Sequence, residues 1–255
     1  MKTTFTHNNS TFQVDLTAGH DISIPLVAGP NRLAAWYVPP IEIEPVRADG
    51  WVGSVEEGGS VNFRSIKFNP HGHGTHTECL GHITKEFHSV NQLFTDFHCV
   101  ALLHTVTLTE APEQLPVMQQ GDLMIDAHQI PDGKLPPALI LRTRPNDSSK
   151  RTKVYNDTNP PYLSLKAALK LVSGGVKHLV MDLPSVDREV DGGELQSHRA
   201  FWGLPDNPRK DATITELAFI DDTIEDGIYL MNLQTAPFEN DASPSRPVLF
   251  KAHAV

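Results

Sequence analysis

Four histidines and a glutamate fall within the twelve residues 71–82, and this crowding restricts what the chain can be more than any other feature. Thirteen histidines spread evenly over 255 residues would place fewer than one in such a window. Imidazole and carboxylate groups at short spacing are typical ligands of a divalent transition metal such as zinc. Gly72, Gly74 and Gly81 lie between them, and glycine lets the backbone turn several side chains toward one point. The run therefore predicts a metal site.

Composition excludes several classes of partner. The formal net charge is −10, and the sequence has no run of lysine and arginine, which argues against nucleic acid and against an anionic membrane surface. No apolar run is long enough to span a bilayer. The polar start of the chain does not resemble a signal peptide, and the two cysteines, Cys79 and Cys99, do not make a disulfide framework. We therefore expect reduced thiols, a cytoplasmic location and a small-molecule partner.

The hydrophobic pattern predicts a single α/β domain over residues 1–255, rich in strands. Residues 61–68 alternate and lead into the histidine run, so the run should lie on a loop after a strand. Two buried strands are expected at 99–108 and 138–143. Apolar residues at helical spacing, closed by Gly174 and Gly175, predict a helix, and a strand at 177–183 follows it. That strand, helix and strand form a βαβ unit, which predicts parallel pairing. Further expected elements are strands at 12–16, 34–38, 41–44, 214–220, 228–233 and 248–252, and a short helix or irregular turn within 83–97.

Ligands from outside the loop are expected at the end of the strand at 177–183. Asp182 lies at the end of that strand, Asp187 and His198 follow it, and the carboxyl ends of strands are where sites form in α/β sheets. Glu216 lies within an otherwise apolar strand. Its pattern alone favours a side chain that faces solvent, because a buried carboxylate needs a compensating partner.

These residues together resemble the cyclase-like metal-dependent hydrolases of the kynurenine formamidase and isatin hydrolase type. The signature of that family is His-x-Gly-Thr-His-x-Asp-x-Pro-x-His, and the chain has a similar run at 73–82. The resemblance continues in the same order along most of the chain: Asp15-Leu16-Thr17, Leu139-Ile140-Leu141-Arg142-Thr143, Asp182 with Ser185 and Asp187, His198, Thr215-Glu216-Leu217, and Asn232-Leu233. It implies a single-domain α/β fold with a β-rich mixed sheet or barrel of the swivelling cyclase-like type and a few flanking helices.

The resemblance also implies roles for individual residues. His76 matches the central histidine ligand, and Glu78 stands where the family has a metal-binding aspartate. His82 matches the histidine that acts as general acid and base. His198 and Glu216 match ligands from the second half of the chain, which makes Glu216 a ligand rather than a surface residue.

Three positions depart from the family pattern. The first histidine ligand should lie four residues before His76, where the chain has Gly72. His71 and His73 flank that glycine, and either could supply the ligand, with His71 favoured. Glu78 is one methylene longer than the aspartate, and Leu80 replaces the proline. Cys79 lies inside the motif and is expected to be a buried thiol without a chemical role.

The implied activity is hydrolysis of an amide-type C–N bond, in an N-formyl compound as in an arylformamidase or in a cyclic amide. One or two divalent ions, zinc or alternatively manganese, would activate water, and His82 would transfer the proton. Trp36, Trp51 and Phe68 could form an apolar wall for a ring. Family members are oligomers, so a homodimer or homotetramer is expected.

Two other functions fit parts of the sequence. His71, His73 and Glu78 have the spacing of a cupin metal oxygenase, although Ser65 and Lys85 stand where that pattern has glycines. A relative that had lost its first ligand, as Gly72 suggests, would bind a metal or small molecule without turnover. A purely structural zinc would instead make folding depend on the metal.

Overall fold

The centre of the fold is a nine-stranded mixed sheet in the computed structural model, which describes residues 1–30, 32–111 and 118–255. The strands are β1 (Lys2–His7), β2 (Ser10–Asp15), β3 (Gly19–Asp21), β4 (Glu42–Pro45), β5 (Arg47–Ala48), β6 (Trp51–Val52), β7 (Arg64–Lys67), β8 (His76–Glu78), β9 (His98–Thr107), β10 (Thr109–Glu110), β11 (Leu123–Ile125), β12 (Ala138–Arg144), β13 (Tyr162–Leu163), β14 (His178–Met181), β15 (Thr213–Glu216), β16 (Gly227–Asn232), β17 (Ala242–Pro244), β18 (Val248–Lys251) and β19 (His253–Ala254). The helices are α1 (Pro70–His73), α2 (Val90–Leu93), α3 (Leu165–Gly174) and α4 (Gln196–Phe201), with 3₁₀ turns at Leu80–Ile83, Ala127–Gln129 and Ser148–Arg151.

The strand order of the large sheet is β17-β8-β15-β14-β12-β9-β16-β18-β3. The four strands β9, β12, β14 and β15 run parallel to their neighbours within that group. The outer strands on both sides pair antiparallel. Smaller sheets join β1, β2 and β19, then β10, β11 and β13, and the pairs β4–β7 and β5–β6.

The predicted βαβ unit is confirmed, and it forms the middle of the sheet. Strand β12 pairs parallel with β14, with Ala138 opposite His178, and α3 connects the two strands. Six of the seven residues of β12 are buried, as expected of a strand covered on both faces. Parallel central strands joined through a helix do not form the all-β barrel of a cupin, so the cupin alternative is wrong.

Helix α3 ends at the predicted glycines, and a serine caps its start. The Ser164 hydroxyl accepts a hydrogen bond from the Ala167 backbone N–H, and Gly175 ends the helix in the left-handed conformation. Its buried face differs from the helical spacing of Leu165, Leu169 and Val172 that predicted the helix. The side chains of Ala167, Ala168 and Leu171 face the core, whereas Leu165 and Leu169 are exposed.

One expected element is corrected. Residues 34–38 were expected to form a strand, but only Ala34 makes an isolated bridge, and Trp36 and Tyr37 have positive φ angles in a turn. Their neighbours are apolar because this loop covers a small second core that includes Ala35, Tyr155 and Phe219. The short helix expected within 83–97 is the single turn α2. Among the described residues, no helix has the length and apolar composition needed to cross a membrane.

Candidate metal centre

Strand β8 supplies the centre of a buried polar cluster. It lies between β15 and β17, with His76 opposite Glu216. Successive side chains of a strand alternate between the faces of a sheet, so His76 and Glu78 project from the same face. Both side chains are inaccessible to solvent. Thr77 points to the other face and forms a 2.7 Å hydrogen bond with the Thr215 hydroxyl. The sequence pattern alone favoured a Glu216 side chain that faces solvent. That expectation is wrong, since Glu216 is only 3% exposed.

The turn α1 separates the two candidate first ligands. The Nδ1 atom of His71 lies 3.1 Å from a carboxylate oxygen of Glu78, inside the cluster. His73 points the opposite way, with its Nδ1 accepting a hydrogen bond from the Asn69 backbone N–H and its Nε2 2.8 Å from the Pro39 carbonyl. Both ring nitrogens of His73 are therefore used by the backbone, and only His71 offers the cluster a ligand atom.

Gly72 stands where the family pattern has a histidine, and its surroundings leave no room for a side chain. A Cβ atom on residue 72 would lie 2.8 Å from the Ala35 carbonyl oxygen and 2.8 Å from a methyl group of Val38. The Gly72 carbonyl also accepts a hydrogen bond from the Ala35 backbone N–H. A side chain at 72 would have to displace this loop.

The second half of the chain brings His198 and Glu216 to the cluster. The Nδ1–H of His198 donates to Asp187 at 2.6 Å, and this bond leaves the Nε2 atom facing Glu78 at 3.1 Å. Asp187 also accepts from the backbone N–H of His198, so it fixes the start of α4 as well as the ring. The Glu216 Oε1 atom accepts a hydrogen bond from the Val186 backbone N–H at 2.9 Å.

The candidate ligand atoms converge on Glu78 and Glu216. The remaining distances are 4.0 Å from His76 Nε2 to Glu78 Oε2, 3.5 Å from His76 Nε2 to Glu216 Oε2, 3.8 Å from His198 Nε2 to Glu216 Oε1 and 3.9 Å from His82 Nδ1 to Glu78 Oε2. Three overlapping sets have ligand atoms within 4.8 Å of one another: His71, His76 and Glu78; Glu78, His82 and His198; and His71, His82 and Asp241. Glu78 belongs to two of these sets.

Two atoms of the cluster are buried without a hydrogen-bond partner among the described residues, His76 Nε2 and Glu78 Oε2. The His71 nitrogen 3.1 Å from this Glu78 oxygen is close enough for an ion pair but is not aligned for a hydrogen bond. Buried polar atoms normally have partners. The other ring nitrogen of His76 is used by the Gly74 carbonyl at 3.1 Å, which turns Nε2 into the cluster. Imidazoles held in this way through their second nitrogen are typical of metal ligands.

Ion pairing controls the protonation of the cluster. Burial lowers the pKa of the His71 imidazole, but the carboxylates of Asp241 and Glu78 outweigh it and raise this pKa to about 10. Burial acts against the His198 cation as well, and Asp187 and Glu78 raise the pKa of His198 well above its ordinary value. Burial raises the pKa of Glu78, but the surrounding imidazoles hold it well below its ordinary value. In the protein alone, protons on His71 and His198 neutralise the carboxylates between them.

His82 differs from the other histidines because it lies at the mouth of the cluster. Its side chain is 31% exposed and lines a cavity of about 350 Å³ with His71, His198 and Glu216. Other parts of the wall come from Trp36, Val38, Asn69, Ser185, Asp187, Arg188, Glu189, Asp191 and Leu195. A histidine here can reach both a bound molecule and the buried carboxylates.

Only one of the three aromatic residues expected to form an apolar wall lines this cavity, namely Trp36. Trp51 instead packs beside Phe63, and Phe68 packs beside Phe238, with ring centroids 6.0 Å apart in each pair.

Asp241 is a member of the cluster that the sequence did not reveal. Its Oδ2 atom lies 2.9 Å from His71 Nε2 and 3.4 Å from His82 Nδ1. The residue directly precedes β17. No motif residue surrounds it in the sequence, so only the pairing of β17 with β8 brings it to the site.

Cys79 is buried with its thiol directed at the His88 carbonyl, and burial raises the pKa of this thiol to about 11.

Comparison with known proteins gives a family and a set of related folds. A family model described as putative cyclase matches residues 14–188. Three similar solved structures are a potential metal-dependent hydrolase with cyclase activity (16% identity, 91% of this chain and 97% of that chain, TM-score 0.64), a predicted metal-dependent hydrolase from Bacillus stearothermophilus (17%, 91% and 98%, 0.61), and an isatin hydrolase bound to the product analogue thioisatinate (14%, 92% and 93%, 0.62). At these identities the likeness shows the fold, and it confirms the expected cyclase-like architecture. Comparison with curated proteins gave no match.

Proposed function

The chain belongs to the cyclase family, and we propose that it is a metal-dependent hydrolase that cleaves an amide-type C–N bond of a small molecule. The main support is a pair of buried atoms, His76 Nε2 and Glu78 Oε2, which lie 4.0 Å apart. Neither atom has a hydrogen-bond partner in the described part of the chain. A histidine nitrogen and a carboxylate oxygen facing each other in a buried site are a suitable ligand pair for a divalent cation.

The donor set fits one or two ions. His71, His76 and Glu78 would hold one, and Glu78, His198 and Glu216 would hold a second, with Glu78 shared between them. Nitrogen and carboxylate donors suit zinc and also manganese. Asp187 and the Gly74 carbonyl keep two of the rings in the tautomer that ligation needs.

A bound divalent ion would polarise the substrate carbonyl and make water more acidic. His82 accepts a proton from the attacking water as its oxygen bonds to the carbonyl carbon. It then donates that proton to the nitrogen as the C–N bond breaks. An imidazole suits both transfers because one ring nitrogen can accept a proton and release it again. Its place at the cavity mouth, beside Asp241 and within 3.9 Å of Glu78, gives it access to substrate. Trp36 supplies an apolar surface for the non-reacting part of the molecule.

The test combines metal analysis with hydrolysis assays. We expect at least one equivalent of zinc or manganese per chain, and turnover of N-formyl arylamines or cyclic amides that a chelator abolishes and metal restores. His82→Gln should lower kcat roughly 10²- to 10⁴-fold while leaving the metal content unchanged. His128→Gln, which changes an exposed histidine on a surface turn, is the matched control.

Each outcome separates the alternatives. Bound metal without turnover of any substrate in the panel would favour a non-catalytic relative. Unchanged kcat in His82→Gln would refute the role of His82. Unfolding on metal removal would indicate a structural zinc.

The homo-oligomeric state, a dimer or tetramer, and the cytoplasmic location remain proposals. Sedimentation velocity of the full chain tests the first, and a single monomeric species would contradict it. Cell fractionation tests the second.

A further inference from the structure

We propose that Asp241 is a positioning residue that sets the orientation and tautomer of two imidazoles in the site, those of His71 and His82. The roles of these two histidines rest on the proposed hydrolase function. The positioning itself concerns contacts between side chains, so its effect on the two imidazoles can be measured without turnover.

One oxygen atom makes both contacts. Oδ2 of Asp241 lies 2.9 Å from His71 Nε2 and 3.4 Å from His82 Nδ1. The two rings face each other with centroids 4.3 Å apart and planes tilted by 31°. Neighbouring imidazoles at this distance would repel each other if both carried a proton charge, and a carboxylate at their common edge offsets this repulsion.

The two contacts require opposite tautomers. With a metal ion on Nδ1 of His71, the atom that faces Glu78 at 3.1 Å, the single remaining proton of the ring would lie on Nε2, where Asp241 accepts it at 2.9 Å. We infer that His82 carries its proton on Nδ1, the nitrogen 3.4 Å from the same carboxylate oxygen, which would leave the lone pair of Nε2 to accept a proton from water. The same carboxylate thereby makes one imidazole a ligand and the other a base.

The backbone holds Asp241 in place for this purpose. Its carbonyl oxygen accepts a hydrogen bond from the Cys79 N–H at 3.0 Å, and the next residue, Ala242, pairs with Glu78 across β17 and β8. Asn240 is fixed as well, because its side chain donates to the Ala242 carbonyl. The side chain of Asp241 is 26% exposed and its pKa is lowered, since burial, which raises it, is outweighed by the two histidines. It therefore stays charged beside the cavity.

The experiment compares Asp241→Asn with wild type in three measurements. Zinc affinity should fall roughly 10- to 100-fold, the usual effect of removing a carboxylate behind a metal-ligating histidine. In ¹⁵N-histidine NMR spectra of the zinc-loaded protein, with the His82 signals assigned from His82→Gln, the Nδ1–H form of His82 should dominate in wild type and lose its dominance in the variant. At saturating zinc, Asp241→Asn should lower kcat roughly 10- to 100-fold when His82 is present. The same substitution should lower kcat by less than twofold in a His82→Gln background.

Two further variants complete the design. Glu239→Gln removes a carboxylate from the same segment that contacts Asn91 and Gln92, and it should change none of the three measurements. Asp241→Glu should recover most of the zinc affinity and the His82 tautomer. If Asp241→Asn does not fold, Asp241→Ser replaces it.

The inference is overturned if zinc affinity stays within twofold of wild type and the His82 tautomer is unchanged. It is also overturned if the only effect is a lower melting temperature, or if the losses in kcat from Asp241→Asn and His82→Gln multiply. A protein without hydrolase activity would refute the proposed function, whereas zinc affinity and the tautomer would still decide the role of Asp241.

Discussion

Metal binding should release protons, and their number can be worked out from the cluster. The pKa of His71 is raised to about 10, and that of His198 lies well above its ordinary value. At pH 7.5 in the chelator-treated protein, both rings are therefore imidazolium cations with a proton on each nitrogen. For His71 the gap of roughly 2.5 pH units means about 300 protonated rings for each neutral one. A cation can bind Nδ1 of His71 and Nε2 of His198 only after these protons leave.

We therefore expect about two protons to be released when the site fills at pH 7.5. Apparent affinity for the ion that His71 binds should rise about tenfold, or about 1.4 kcal/mol, for each pH unit up to roughly pH 10. Isothermal titration calorimetry in buffers with different ionisation enthalpies measures the protons, and chelator competition measures the affinity.

Variants at two neighbouring positions make this test specific. His71→Gln should release about one proton fewer than wild type, while His73→Gln, which changes the histidine directed at Pro39 and Asn69, should release the same number. Fewer than about 0.3 protons per chain in wild type, or a loss in His73→Gln equal to that in His71→Gln, would refute the proton-occupied cluster and the assignment of His71.

Three further predictions concern single groups. Glu216→Gln should reduce the metal content measured by elemental analysis much more than the free energy of unfolding, because an amide oxygen can still accept from Val186 while ligating less well; a full metal complement would refute the ligand role. Cys79→Ser should retain activity, since this thiol is buried with its donor on the His88 carbonyl, and an inactive variant would give Cys79 a chemical role. The pH dependence of stability follows from His71, whose pKa is raised from 6.5 to about 10 in the folded state. Its contribution is complete below about pH 6.5 and is lost as the pH rises toward 10, by at most about 1.4 kcal/mol per unit. Urea titrations of chelated protein at several pH values should show this loss, and a constant free energy of unfolding from pH 6.5 to 10 would contradict it.

The parts of the fold that the sequence predicted are those governed by local pattern. The buried strand β12, helix α3 and strand β14 have apolar runs, a serine cap and a glycine end that specify them without help from distant residues. The segment at 34–38 has an equally apolar pattern but forms a turn, because its side chains cover a second core. Local pattern measures burial, and a buried loop has the same signature as a short strand.

The sequence predicted those residues of the site that belong to recognisable motifs. His76, Glu78, His82, His198 and Glu216 lie together in the fold, as the resemblance implies, although the first and last are 140 residues apart. Asp241 could not be found in this way. It reaches the cluster through the antiparallel pairing of two three-residue strands, and strands this short have no periodicity to detect.

The geometry of one helical turn is the reason why we propose His71 rather than His73 as the metal ligand. The Asn69 side chain accepts hydrogen bonds from the N–H groups of His71 and Gly72, which starts the turn at Pro70. Residues two apart on a helix face different directions, so His71 and His73 cannot both enter the cluster. The position between them is closed to any side chain, because Ala35 and its neighbours pack against Gly72. The loop at 34–38 therefore does two things at once: it excludes a histidine from position 72, and through Trp36 it forms one wall of the cavity that His71 faces. The same loop therefore accounts for the glycine at position 72 and for part of the cavity wall.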